Sequence, residues 1–157
     1  NTREMAFENP GEEATHGIGV RGSAFRGLAA FDKKDLEEFR QQDLSQRSDV
    51  DGVILLLESP APEYIPLVLS ADALLAAKGG STSHAAVAAN GIEDKNFCAV
   101  MSAAGLQVDL ERREALIVDD DGQVRHRLRT GEIVSIHGTS GEVYVGTRSL
   151  SDDNETG

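Results

Sequence analysis

The sequence predicts a mixed α/β domain in a layered β/β/α arrangement. Three short apolar runs, residues 53–57, 73–76 and 97–100, have the length and content of strands buried on both faces. Between the second and third lies a run of small helix formers, residues 85–89, so that a strand–helix–strand crossover is expected. From Leu106 onward the pattern changes to short alternating segments split by Asp-Asp-Gly and Gly-Thr-Ser-Gly, which reads as antiparallel hairpins.

Taken in order, residues 1–15 are polar and acidic and read as a flexible linker. Residues 18–31 mix small and apolar residues with Gly19, Gly22 and Gly27, as short bent strands do. Asp32 is an expected N-cap for a helix running to Arg40 or Leu44, with Leu36 and Phe39 on its inner face. Gly52 ends the polar turn that follows, residues 53–57 form a strand, and Ser59-Pro60 stops it. Residues 64–69 suit a short helix, and residues 73–76 a second strand that delivers the chain to Gly79-Gly80. Residues 97–100 make a third strand, and residues 116–118, 124–128, 133–136 and 143–145 the hairpin strands. Residues 16–148 would then be one folded body, and 149–157 a polar tail like the leading stretch, the two having the composition of tethers.

Composition narrows the function. With 27 acidic against 15 basic residues the formal net charge is −12, a surface that repels nucleic acid and anionic membranes. Aromatic residues are few and tryptophan is absent, so no stacking platform for single-stranded nucleic acid is indicated. No apolar stretch has the ~18 residues of a membrane span, no signal-peptide pattern opens the chain, and a single cysteine suits a reducing, cytoplasmic setting. No metal-binding spacing occurs, so no metal site is expected. The polar, acidic ends and the non-methionine start suggest a domain of a larger protein, or one encoded beside it.

The densest chemistry lies in residues 79–91, GGSTSHAAVAANG. Thr82 or Ser83 is a natural N-cap, and Asn90-Gly91 supplies a left-handed residue to close the helix. His84 then falls in the first turn, where the helix carries roughly half a positive charge. That field disfavours imidazolium by ~0.3–1 kcal/mol and favours a bound phosphate dianion. Gly79 and Gly80 let backbone approach a ligand. On the residues alone, a phosphoryl-accepting His84 and an ordinary capped turn with an incidental histidine stand about level.

GGSTSHAAVAA resembles the phosphohistidine signature of the phosphoenolpyruvate-utilising enzymes, the family of pyruvate phosphate dikinase, phosphoenolpyruvate synthase and enzyme I of the sugar phosphotransferase system. The resemblance extends upstream through GVILLLESPAPEYIPLVLSADALLAAKGG, downstream to RTGEIVSIHGTSGEVYVG, and more weakly to HGIGVRGSAFRGLAAF, covering about residues 17–146. It implies a swivelling β/β/α phosphohistidine domain in which His84 accepts the phosphoryl group, assisted by Thr82 and Ser83, with Gly79 and Gly80 near the phosphate. It also implies partners on other domains: a nucleotide-binding domain using ATP and Mg²⁺, and a barrel that binds pyruvate or phosphoenolpyruvate. No cofactor is expected on this domain itself. In plant dikinases the threonine matching Thr82 is a regulatory phosphorylation site. The chain departs from the pattern at Asn90, where the family has arginine, at Ser81, at Val20-Arg21-Gly22 in place of Ser-Pro-Gly, and in the loop IEDKNFCAV. These changes leave room for a glucan-directed dikinase domain, or for a regulatory module that keeps the fold.

The remaining candidates read as structural. Cys98 sits in an apolar run and is expected to be buried and inert. Asp119-Asp120-Asp121 precedes Gly122 and suits a hairpin turn better than Mg²⁺. His126 is expected to face away from Arg125 and Arg127, His137 to precede a turn, and His16 to lie at the N-terminal boundary. Arg125, Arg127 and Arg129 share one face of a strand at period two and suit an exposed edge.

Overall fold

The computed structural model describes residues 5–7, 12–59, 61–79, 97–147 and 150–152. In chain order the elements are β1 (Met5–Phe7), β2 (Thr15–His16), β3 (Ile18–Arg21), β4 (Ala24–Ala30), α1 (Lys33–Arg40), β5 (Gly52–Leu57), α2 (Ile65–Ser70), β6 (Ala73–Ala76), β7 (Cys98–Met101), β8 (Leu106–Asp109), β9 (Glu114–Val118), β10 (Val124–Arg129), β11 (Ile133–His137), β12 (Glu142–Val145) and β13 (Leu150–Asp152).

The apolar runs behave as their composition requires. Every residue of β5, β6 and β7 is buried, the signature of strands covered on both faces. β9 alternates buried and half-buried residues at period two, as a strand with one covered face must. Helix α1 starts where Asp32 accepts the Asp35 N–H at 2.9 Å, and buries Leu36 and Phe39. α2 has proline in its first turn and lacks a side-chain cap; it buries Val68, and the Arg40 guanidinium reaches the Ser70 carbonyl at its end.

The main sheet has eight strands in the order β2-β12-β11-β4-β5-β6-β7-β3. Its centre is parallel, with Leu28 opposite Val53, Leu55 opposite Leu74 and Leu74 opposite Ala99. The outer pairs are antiparallel. The two end strands, β2 and β3, are separated only by Gly17, whose N–H donates to the Gly141 carbonyl at 2.8 Å. One segment thus pairs with β12 at its start and with β7 at its end, and the sheet closes on itself. A register shift in β3 between Gly19 and Arg21 accommodates the bend.

A separate antiparallel sheet, β10-β9-β8, contributes Leu106, Ala115, Ile117 and Leu128 to an apolar cluster with Phe25, Ile54, Leu75, Cys98 and Ile136 of the main sheet. A second cluster joins the alternate strand residues Leu28, Leu55, Leu74 and Met101 to Leu36 and Phe39 of α1 and Val68 of α2.

Two short strands lie in the end segments. β1 and β13 pair antiparallel, Met5 opposite Asp152 and Phe7 opposite Leu150. The Phe7 ring packs edge-on against Tyr144, centroids 5.3 Å apart, and against His137 at 6.3 Å. A single aromatic anchor in a polar stretch is invisible to a composition argument.

Asp35 is the acid in the first turn of α1. It is fully buried, and its carboxylate accepts from the Phe31 N–H at 3.0 Å, the Thr130 hydroxyl at 3.0 Å and the Arg113 guanidinium at 3.2 Å. It thereby ties α1 to the end of β4 and to the turns after β8 and β10. Asp35→Ala should cost about 2–4 kcal/mol in urea denaturation, because two donors lose their partner while Arg113 can turn to water. A loss within experimental error would mean that the three contacts do not form in solution.

Candidate functional site

In a parallel sheet the loops that follow the strands gather along one edge, at the carboxyl ends of the strands. Along that edge stand Asp35 after β4, Glu58 after β5, Lys78 and Gly79 after β6, and Ser102 after β7. The neighbours grip the exit of β6 from both sides. On one side the Ala77 N–H donates to the Leu57 carbonyl at 2.9 Å, and the Lys78 N–H to the Glu58 carbonyl at 3.1 Å. The Glu58 carboxylate accepts the Val108 N–H at 2.8 Å and lies 3.7 Å from the Lys78 ammonium. On the other side the Ala103 N–H donates to the Ala76 carbonyl at 3.2 Å, and the Ser102 hydroxyl donates to the Gly79 carbonyl. Gly79 has φ 105° and Ser102 φ 52°, both left-handed.

Gly79 follows buried β6, the strand that the sequence expects to deliver the chain to Gly79-Gly80. Because β6 and β7 are parallel neighbours, the chain between them is a crossover that leaves from this edge. Gly80, Thr82, Ser83 and His84, with the expected helix from residue 85 and its Asn90-Gly91 close, lie outside the described residues. Five residues of chain limit His84 to about 18 Å from Gly79. Glu58 and Ser102 were not singled out from the sequence. A serine after a four-residue apolar strand carries no signal of its own, and only the fold brings it to Gly79.

The other histidines are engaged locally. His16 contacts the Glu13 carboxylate through Nδ1 at 2.6 Å. His137 accepts the Thr139 and Ser140 N–H groups on Nδ1, each at 3.3 Å, and so organises the turn after β11. His126 is half-buried on β10, between the exposed Arg125 and Arg127. Arg127 pairs with Glu114 at 2.6 Å and Arg125 approaches Glu12 at 3.9 Å, on an edge strand as expected. Asp119 accepts the N–H groups of Asp121 and Gln123 at 3.0 and 2.9 Å, which makes the acidic triplet a hairpin turn. Among the described residues no group of three metal-ligating side chains occurs. A cleft of about 420 Å³ lies on the β8–β9 hairpin, lined among others by Gln107, Arg112 and Leu116. It does not include Gly79 or Ser102.

Cys98 is buried, and its thiol donates to the Ser23 carbonyl at 3.1 Å. Burial pushes the thiol far above its ordinary pKa, against a smaller opposing effect of a backbone hydrogen bond at Gly138. The thiolate is thus suppressed in the folded state alone, and the sign of the linkage follows. Above the unfolded thiol value of about 8.5, stability should fall by about 1.4 kcal/mol per pH unit, and Cys98→Ala should remove that slope. Chemical denaturation at pH 8 and pH 10 checks this; equal slopes in the two proteins would show that the thiol titrates freely when folded.

Residues 49–141 match the family described as PEP-utilising enzyme, mobile domain. The chain belongs to this mobile-domain family. The matched region holds Glu58, Gly79, Ser102 and the Thr-Ser-His string. The mobile domain is 33% identical over 150 residues to pyruvate, phosphate dikinase 2 of Zea mays, covering 92% of this chain and 15% of the maize protein. It is 30% identical over 159 residues to the chloroplastic pyruvate, phosphate dikinase of Flaveria pringlei, covering 96% of this chain and 15% of that protein. With the pyruvate, phosphate dikinase of Entamoeba histolytica it shares 32% identity over 136 residues, 87% of this chain and 13% of the relative. The mobile domain thus spans about 15% of the length of the relatives it matches. Among its described residues no helix is long and apolar enough to cross a membrane.

Proposed function

We propose that this chain is the phosphocarrier of a dikinase of the pyruvate, phosphate type, a layered β/β/α body that carries a phosphoryl group on His84 between two sites on other domains. A single observation supports this reading most. In a chain of the mobile-domain family, the Gly-Gly-Ser-Thr-Ser-His string begins at the exit of a buried parallel strand, on the edge where the loops after the strands gather. The chemistry is a double displacement. The imidazole nitrogen attacks phosphorus at the first site and the bond from phosphorus to the leaving oxygen breaks. At the second site an acceptor oxygen attacks phosphorus, the P–N bond breaks, and the ring recovers its lone pair. In the reverse sense, phosphoenolpyruvate is the donor and pyruvate leaves.

Thr82 or Ser83 would cap the helix start and orient the ring, and backbone N–H groups near Gly80 would hold the phosphate. ATP and Mg²⁺ would be bound by the nucleotide-handling partner domain, and pyruvate or phosphoenolpyruvate by the barrel partner. The small neighbours Ser81, Ser83 and Ala85 leave the ring free to enter two different pockets. A fixed catalytic base would need no such clearance.

The test supplies radiolabelled phosphoenolpyruvate and a pyruvate, phosphate dikinase whose own mobile domain has been deleted. The chain should acquire an acid-labile, base-stable label that maps to His84. Labelling of a serine or threonine instead, or no labelling with the barrel shown to bind phosphoenolpyruvate, would overturn the carrier reading.

A further inference from the structure

We propose that Ser102 is a positioning residue, its hydroxyl holding the Gly79 carbonyl and so setting the direction in which the chain leaves β6 toward His84. The proposal rests on the carrier reading and adds a residue to it.

Gly79, at φ 105°, has wide backbone freedom, and a small rotation there redirects everything that follows. Gly79 lies five residues before His84 in the sequence, and its carbonyl is met by the Ser102 hydroxyl from the neighbouring strand end. Ser102 adopts φ 52°, a left-handed conformation that glycine would take without steric cost and serine does not. A position whose backbone favours glycine carries a side chain instead, and among the described residues that side chain meets the Gly79 carbonyl.

The fold does not require the contact. β6 and β7 are already joined by their ladder, Ala73 opposite Cys98 to Leu75 opposite Val100, and by the Ala103 N–H to the Ala76 carbonyl at 3.2 Å. On the opposite side, the Lys78 N–H is held by the Glu58 carbonyl at 3.1 Å. Ala76, Ala77 and Lys78 are therefore held without Ser102, and among the described residues the hydroxyl acts on Gly79. Phosphoryl transfer needs donor, phosphorus and acceptor aligned at short range, so an error at this pivot is carried to the reacting nitrogen.

Two substitutions separate the hydroxyl from the strain. Ser102→Gly removes the hydroxyl and relieves the left-handed backbone; Ser102→Ala removes the hydroxyl and keeps the strain. Both should slow transfer from radiolabelled phosphoenolpyruvate to His84 by about tenfold to a hundredfold, in kcat rather than in KM for the donor. Their melting temperatures should diverge, Ser102→Gly at or above the parent and Ser102→Ala at or below it. In both, the Gly79 carbonyl-carbon resonance should move while that of Ala76 stays. Parental transfer rates in Ser102→Gly, with the parent labelled on His84, would overturn the role of Ser102 and leave the carrier reading standing. An unmoved Gly79 resonance would overturn it independently of any activity. A parent that is never labelled on His84 removes both.

Discussion

His84→Ala should reduce phosphoryl acceptance from phosphoenolpyruvate by about a thousandfold or more while leaving the melting temperature within ~2 °C of the parent. The size of the effect follows from the chemistry: a carrier has one nucleophilic nitrogen, and removing it leaves no partial route. The three remaining histidines lie elsewhere in the fold. His16, on β2, contacts Glu13 through Nδ1, His137 Nδ1 accepts two turn N–H groups after β11, and His126 lies on the separate three-stranded sheet. The absence of a stability effect follows from the carrier's task, since a ring that enters two pockets in turn cannot also be packed into its own core. Autoradiography and melting of the same preparation measure both. Full labelling of the variant would place the acceptor elsewhere.

A large loss of stability is expected at Gly138→Ala, about 3–5 kcal/mol or roughly 10 °C in melting temperature. A Cβ on Gly138 would lie 1.7 Å from the Arg21 carbonyl oxygen and 2.9 Å from Cys98 Sγ. The main obstacle is backbone, which cannot rotate away as the end of a side chain can. The same contact is close from the other side, where a Cβ on Gly19 would lie 2.3 Å from the Thr139 carbonyl oxygen. The Gly138 N–H to the Ser23 carbonyl at 3.1 Å, and the Thr139 hydroxyl to the Gly22 carbonyl at 2.6 Å, hold the two stretches at this spacing. An added methyl must part them and open the sheet where it closes. Gly122→Ala is the control, because its left-handed backbone (φ 82°) is surrounded by open space and should cost only about 1 kcal/mol. Equal losses in the two variants would show that the turn after β11 does not touch the 18–22 stretch.

Local physics made most of the elements legible. Leu and β-branched residues without interruption mark β5, an aspartate ahead of a helix-forming stretch marks the start of α1, and Asp-Asp-Gly marks the β9–β10 hairpin. What stayed hidden depends on partners far along the chain. The glycine-spaced stretch before β4 reads as bent strand, but nothing local says that it bridges β12 and β7. Asp35 reads as a first-turn acid because its partners Arg113 and Thr130 are 78 and 95 residues away. The candidate site divides in the same way. The Gly-Gly-Ser-Thr-Ser-His string is contiguous and could be read directly, whereas Glu58 reaches Lys78, and Ser102 reaches Gly79, only through the order of strands in the sheet.

The closure of the main sheet also constrains how the chain is made. The parallel centre from β4 to β7 pairs in the order of synthesis, each strand with the one before it. The outer edge of β4 must wait for β11, and β2 for β12. At translation rates of ~5–20 residues per second, the roughly hundred residues between β4 and β11 take about 5–20 s to appear. Through that interval the nascent chain presents a β4 edge whose N–H and C=O groups have no strand to meet, beside the apolar residues Phe25, Leu28 and Ala29. A ribosome stalled before Ile133 would therefore hold a half-built sheet open to pairing with another chain. The strands from Ile133 onward act as the seal on what the earlier strands have already assembled.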